Sequence, residues 1–149
     1  MVEHYGAAEA MARKAGDDTL FYPAKNGLSA EIRRAFLDQR LPQLDAERFE
    51  VVGASLQRAA TEKPDFWSVV GQTELRVLAA LAKGQLAPTQ AGLTQTLREL
   101  KARVPAAWMW DSVFNEAQFT LLPYLEFAGA AEKRAAQSLL DALQEMAAK

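Results

Sequence analysis

Few side chains in this sequence have the types and spacing that bond-making chemistry needs. The single histidine, His4, stands beside no acidic pair at metal-ligand spacing, so a serine–histidine or histidine–metal mechanism would have to run through that one residue. There is no cysteine, which removes a thiolate nucleophile, a thiolate metal site and a disulfide framework. No Gly-Lys-Ser/Thr phosphate loop and no Gly-x-Gly-x-x-Gly run occurs, and Gly92 and Gly129 are isolated breaks. Carboxylates remain as acid–base candidates: Glu47, Glu50, Glu62, Asp65 and Glu74 in midchain. All but one read as solvated helix faces and caps. Glu74 is different, because it falls on the most apolar segment, one turn after Val70 and near the Trp67 stripe. A buried carboxylate has to be paired or hydrogen-bonded. Arg76 is too close in sequence to share its side, so a partner from another helix is required. The expectation is a chain without catalytic residues, metal or cofactor. Two carboxylates converging in one deep cleft would reopen an enzymatic reading.

Residues suited to recognition are better represented. Asn26 can donate and accept at once, so it can clamp a peptide backbone or tie down the loop before it. Trp108 and Trp110 are two positions apart and point to different sides of a helix, which leaves at least one less buried than a core residue. Trp67 and Phe66 split in the same way. A tryptophan beside a groove is a common binding anchor, and a second layer of core is the competing role. Arg33, Arg34, Arg98, Arg103, Lys25 and Lys101 have the chemistry to grip carboxylate or phosphate, although each is also ordinary helix surface. The contact candidates are Lys25, Asn26, Trp67, Gln72, Glu74, Trp110 and Asn115.

Helices must position them, because apolar residues recur at intervals of three and four while strand alternation is nearly absent. The spacing predicts a helix over 2–15, with Tyr5, Ala8, Met11, Ala12 and Ala15 on one face and Gly16 as its stop. A second runs from about Tyr22 to Leu37, with Ala24, Leu28, Ile32 and Ala35/Phe36 inward. Asp45 caps a third, carrying Phe49, Val52, Leu56 and Ala60. Asp65 caps a fourth, over 66–83, whose apolar residues lie on more than one side and put it at the centre; Gly84 ends it. Thr89 caps a fifth with one stripe of Leu93, Leu97, Leu100 and Val104, which suits the periphery. Pro105 opens a sixth, whose inner side is Trp108, Met109, Val113, Phe114, Ala117, Leu121 and Leu122, and Pro123 must end or kink it. After Gly129 a seventh turns Leu139, Leu140, Leu143 and Met146 inward, with Glu132, Lys133, Arg134 and Gln137 outward. The fold class is all-α, with about seven antiparallel helices in a single domain over 1–149. They form either a stack of helix hairpins or a compact bundle.

Two stretches carry a family resemblance. Phe21-Tyr22-Pro23-Ala24-Lys25-Asn26-Gly27-Leu28 holds a Tyr-Pro-x-x-Asn helix start. Some 40 residues on, Pro64-Asp65-Phe66-Trp67-Ser68-Val69-Val70-Gly71-Gln72-Thr73-Glu74-Leu75-Arg76 holds an Asp-aromatic-Trp start. Together they resemble the divergent tetratricopeptide-repeat modules of bacterial signalling and conflict-system proteins, over roughly residues 5–125. The resemblance implies a helical-hairpin solenoid acting as a sensor. The ordinary Trp-x-x-Leu-Gly-x-x-Tyr signature and a regular Ala/Gly/Pro cycle are missing.

Composition sets the outer bounds. The 149 residues are half apolar and carry a net charge of −2, so no broad basic field exists to neutralise a nucleic-acid backbone. No apolar run approaches the length that crosses a bilayer, and the start lacks the pattern of a signal peptide. A cytoplasmic protein, or a domain excised from a larger one, is expected, with no nucleic-acid or membrane partner. The primary expectation is a non-catalytic scaffold or sensor that binds a protein or peptide partner on a concave face. The alternative is a small-molecule or nucleotide sensor, which a closed polar pocket between helices would favour over an open groove.

Overall fold

The computed structural model describes residues 21–148, with side chains from Ala24 onward. The helix expected over 2–15, with His4 and Tyr5, lies outside them. Six helices follow one another with short connections, and there is no strand among the described residues. They are α1 (Phe21–Leu37), α2 (Ala46–Glu62), α3 (Phe66–Ala82), α4 (Gln90–Arg103), α5 (Ala107–Phe127) and α6 (Ala130–Ala148). The chain is all-α, as the periodicity predicts.

Local chemistry explains most boundaries. The Asp45 carboxylate accepts the Glu47 N–H at the start of α2. Asp65 and Ser68 form a reciprocal pair at the start of α3: the carboxylate accepts the Ser68 N–H at 2.7 Å, and the Asp65 N–H donates to the serine hydroxyl. Each satisfies donors that a helix start leaves open. At the end of α3, Gly84 takes φ +64°. Its N–H bonds the Leu81 carbonyl and the Gln85 N–H bonds that of Ala80, closing the helix with the left-handed residue only glycine adopts freely. The end of α1 uses the same pair of bonds, but its left-handed residue is Gln39 at φ 59°, which no composition signal marks.

Burial follows the stripes. Ala24, Leu28, Ile32 and Phe36 of α1 are fully buried, with Val52 and Leu56 of α2. Helix α3 is covered on several sides, burying Phe66, Val70, Leu75, Val77, Leu78 and Leu81. Helix α4 buries one line of Leu93, Thr94, Leu97 and Leu100. Removing this much apolar surface from water is the main driving force for the fold. Helix α1 packs on α3, α3 on α4, α4 on α6, α6 on α5 and α5 back on α1, with α2 laid against α1 and α3. The α1–α5 contact joins helices far apart in sequence and closes five helices into a ring.

Three local expectations need correction, and a fourth, at Pro123, is narrowed. Thr89 makes no cap bond; its hydroxyl donates to the Leu86 carbonyl instead. Trp108 and Leu122 of α5 are 65% and 47% exposed, because the buried side of that helix runs through Trp110, Val113, Leu121 and Tyr124. Of the two outcomes expected at Pro123, an end or a kink, the helix does not end: α5 continues to Phe127. A residue with an N–H at that position would bond the Phe119 carbonyl one turn back. That freed carbonyl accepts Arg33 Nη1 at 2.8 Å, and the guanidinium lies 4.7 Å over the Phe119 ring. Finally, Glu132 is not a solvated surface residue. Its carboxylate accepts the Leu86 and Ala87 N–H groups and the Tyr124 hydroxyl at 2.7 Å, pinning the α3–α4 loop to α5 and α6. Burial, then the hydrogen bond and charge of Glu132, pushes the Tyr124 phenol well above its ordinary pKa.

Candidate functional site

The ring of helices encloses a cavity of about 380 Å³. Each wall follows from a stripe already described. Helix α1 presents Lys25, Asn26 and Ser29. Helix α3 presents Thr73, Glu74, Val77 and Leu78. Leu97 of α4 and Leu139 and Leu143 of α6 supply apolar floor, and α5 contributes the stretch from Val113 to Thr120 apart from Phe114 and Gln118. Most of the lining is apolar. The polar groups gather where α1, α3 and α5 meet, and the exposed residues Asn115 and Glu116 stand at the mouth.

A charged triad organises that polar end. Lys25 Nζ lies 2.8 Å from Glu74 Oε1 and 3.5 Å from Glu116 Oε2. The lysine and Glu74 side chains keep only 11% and 16% of their surface, whereas Glu116 keeps 54%. Thus one cation sits between two carboxylates, the inner one mostly buried and the outer one half in solvent. Burial pushes the Glu74 carboxyl up from 4.5 to about 7; Lys25 opposes this, and the charge and hydrogen bond of Glu116 reinforce it. Burial alone would lower the Lys25 ammonium, but the Coulombic pull of Glu74 and Glu116 outweighs it and raises its pKa. The cluster therefore keeps its ammonium charged while its inner carboxyl titrates near neutrality.

Of the seven contact candidates, Lys25, Asn26, Glu74 and Asn115 come together in this cavity. Glu74 finds its partner on another helix, as its burial requires. Trp67, Gln72 and Trp110 lie elsewhere. Trp67 is half-buried against Phe66, with rings 4.9 Å apart, and 6.3 Å from Trp108. Gln72 is two positions from Glu74 and so faces another side of α3. Trp110 is a correction: it is fully buried against Phe66, and its indole N–H donates to the Val104 carbonyl at 2.8 Å. That bond satisfies its polar edge and lets the whole ring enter the core, so Trp108 is the exposed member of the pair. Among the basic residues, only Lys25 reaches the cavity. Arg34, Arg98 and Arg103 are exposed, Arg33 serves Phe119, and Lys101 donates to the Pro105 carbonyl.

Sequence reasoning missed Glu116, Ser29, Thr73 and Thr120. A signal for Glu116 existed: it falls three residues after Val113 and four before Thr120, on the inward stripe of α5, as Glu74 falls on that of α3. No cluster of histidine, aspartate and glutamate among the described residues has the geometry to hold a metal. Comparisons with family models, curated proteins and solved structures found no match to this chain.

Proposed function

We propose that this chain is a non-catalytic ligand-binding module that takes a small molecule into the cavity between α1, α3, α4, α5 and α6. The observation that carries the reading is the cavity itself: a largely apolar concavity of about 380 Å³ with convergent polar groups at one end. That combination is typical of small-molecule sites. It favours a compact ligand over a docked peptide, because three of the residues expected to line a peptide-binding face lie off the cavity. The resemblance to tetratricopeptide-repeat sensors points to the same use, with the module reporting ligand to an effector. No helix of the described residues is long and apolar enough to cross a membrane. A cysteine-free chain suits the cytoplasm, where metabolites of this size are plentiful.

The test is a thermal-shift screen against metabolites and nucleotides, run beside Ala117→Phe. Ala117 lines the cavity and is half-buried, so a phenyl ring there fills the space and removes little. A ligand at 100 times its Kd stabilises the folded state by about 2.7 kcal/mol. For a chain of this length that raises Tm by roughly 5–11 °C. The proposal expects such a shift in the native chain and its loss in Ala117→Phe. A shift that survives the filled cavity refutes it.

One observation favours a second reading. Glu74 and Glu116 converge in a cleft, and a carboxyl that retains its proton near neutrality suits general acid–base work. Turnover of a bound ligand, lost in Glu74→Gln while binding persists, would establish it.

A further inference from the structure

With Glu74 ionised, the polar end of the cavity sets two carboxylates against one ammonium, and that imbalance points to a ligand. Among the described residues Lys25 is the one cation lining the cavity, and it faces both Glu74 and Glu116. Helices α4 and α6 contribute only leucines to the lining. Arg33, two turns further along α1, is held on the Phe119 carbonyl and ring. Asp111, one turn before Asn115 on α5, takes its amide at 3.5 Å. Nothing else titratable lines the cavity among the described residues. An anionic ligand would meet two carboxylates and an ammonium already engaged by them. A cationic one would complete two pairs.

We infer that the ligand is an amphiphilic amine, its ammonium or guanidinium head seated between Glu74 and Glu116 and its hydrocarbon body lying on the leucine and valine floor. This inference rests on the small-molecule reading above. The head supplies the second positive charge, and Asn26, Asn115 and the Thr120 hydroxyl lie on the same lining to take its remaining N–H groups. The Glu74 side chain keeps only 16% of its surface, so the pair forms where charge attraction is weakly screened. Seating the cation also requires Glu74 to give up its proton, which leaves to solvent. Affinity therefore rises with pH through the neutral range. A neutral or anionic ligand lacks that dependence.

Six probes test this: amine, alcohol and carboxylate versions of 3-phenylpropyl and hexyl bodies. Binding is measured by calorimetry at pH 8 and pH 6, with NMR of the Val77, Leu97 and Leu143 methyl groups locating it. At pH 8 the amines are expected to bind at least tenfold tighter than the alcohols, with the carboxylates weakest, and to lose severalfold in affinity at pH 6. In Glu116→Gln, whose site is half in solvent, the amine preference falls below threefold. Alcohols or carboxylates that bind as tightly as amines and shift the same methyls overturn the cationic head but leave the small-molecule cavity standing. If none of the six moves those methyls, both fall.

Discussion

Acidification from about pH 8 to about pH 5 is expected to stabilise this fold, and Glu74 is the reason. The carboxyl titrates at about 7 when folded and near 4.5 in an unstructured chain. The folded state therefore binds the proton more tightly. The contribution is fully present below the unfolded value and is lost as pH rises through the folded one. A displacement of that size corresponds to about 3 kcal/mol. The Glu74 side chain keeps 16% of its surface, so solvent screening is weak there. Lys25 is raised above 10.5 and stays charged across this window, adding no slope of its own. For a chain near 150 residues, the effect on Tm is roughly 6–12 °C. Thermal unfolding followed by circular dichroism, in native chain and Glu74→Gln at each pH, isolates the term, since every other titrating group cancels in the difference. The glutamine keeps the shape and still offers an oxygen to Lys25. It should match the native chain near pH 5 and exceed it near pH 8. A flat difference curve, or one in which the native chain gains on Glu74→Gln as pH rises, would refute the argument.

Three further outcomes follow from the packing. Glu132→Ala removes the acceptor for two backbone N–H groups and the Tyr124 hydroxyl; urea unfolding should show a loss of about 3 kcal/mol, against about 1 for Tyr124→Phe. Arg33→Met leaves the Phe119 carbonyl without its donor and should cost about 1–3 kcal/mol. In a Pro123→Ala background the returned N–H can serve that carbonyl, so a double-mutant cycle should show a coupling of about 1 kcal/mol between the two sites. Gly92 is a helical position where an added Cβ meets nothing within 4 Å, and Gly92→Ala should raise stability by about 0.5–1 kcal/mol in the same assay.

What could be read from the residues was local. Asp45, Asp65 and Gly84 act on backbone groups within a few positions, so their chemistry is visible in the string itself. The single stripe of α4 and the many-sided burial of α3 follow from spacing alone. Glu74 was legible in one respect: a carboxylate on an apolar helix has to find a cation elsewhere. Which cation could not be read, because Lys25 is 49 residues away and meets it only after α1 packs on α3. Glu132 hid for the same reason. Its neighbours Lys133 and Arg134 mark an exposed face, while the N–H groups it captures belong to a loop 45 residues earlier. At Pro123 the choice between an end and a kink could not be read locally, because the orphaned Phe119 carbonyl takes its bond from Arg33, 86 residues earlier in the chain. The tryptophan pair showed that one ring must be outside. Choosing between them required knowing that the Val104 carbonyl lay within reach of the Trp110 indole.

The cavity and the triad explain one another. Protein interiors pack densely, and an apolar hollow of this size is costly when nothing resists its collapse. Here collapse would have to drive two carboxylates and an ammonium into hydrocarbon. Desolvating ions costs several kcal/mol each unless their pairing improves to match, and with two acids to one base it cannot. The desolvation cost of these three side chains, one on each of α1, α3 and α5, opposes closure of the apolar walls. Burial of Glu74 shows this cost directly, raising its carboxyl to about 7. A chain selected for stability alone would replace the triad with apolar side chains of similar volume, an exchange that is often neutral or stabilising in protein interiors. Keeping it sacrifices stability at the one place where a ligand with an apolar body and a cationic head could restore it, which is the trade expected of a site kept open for binding.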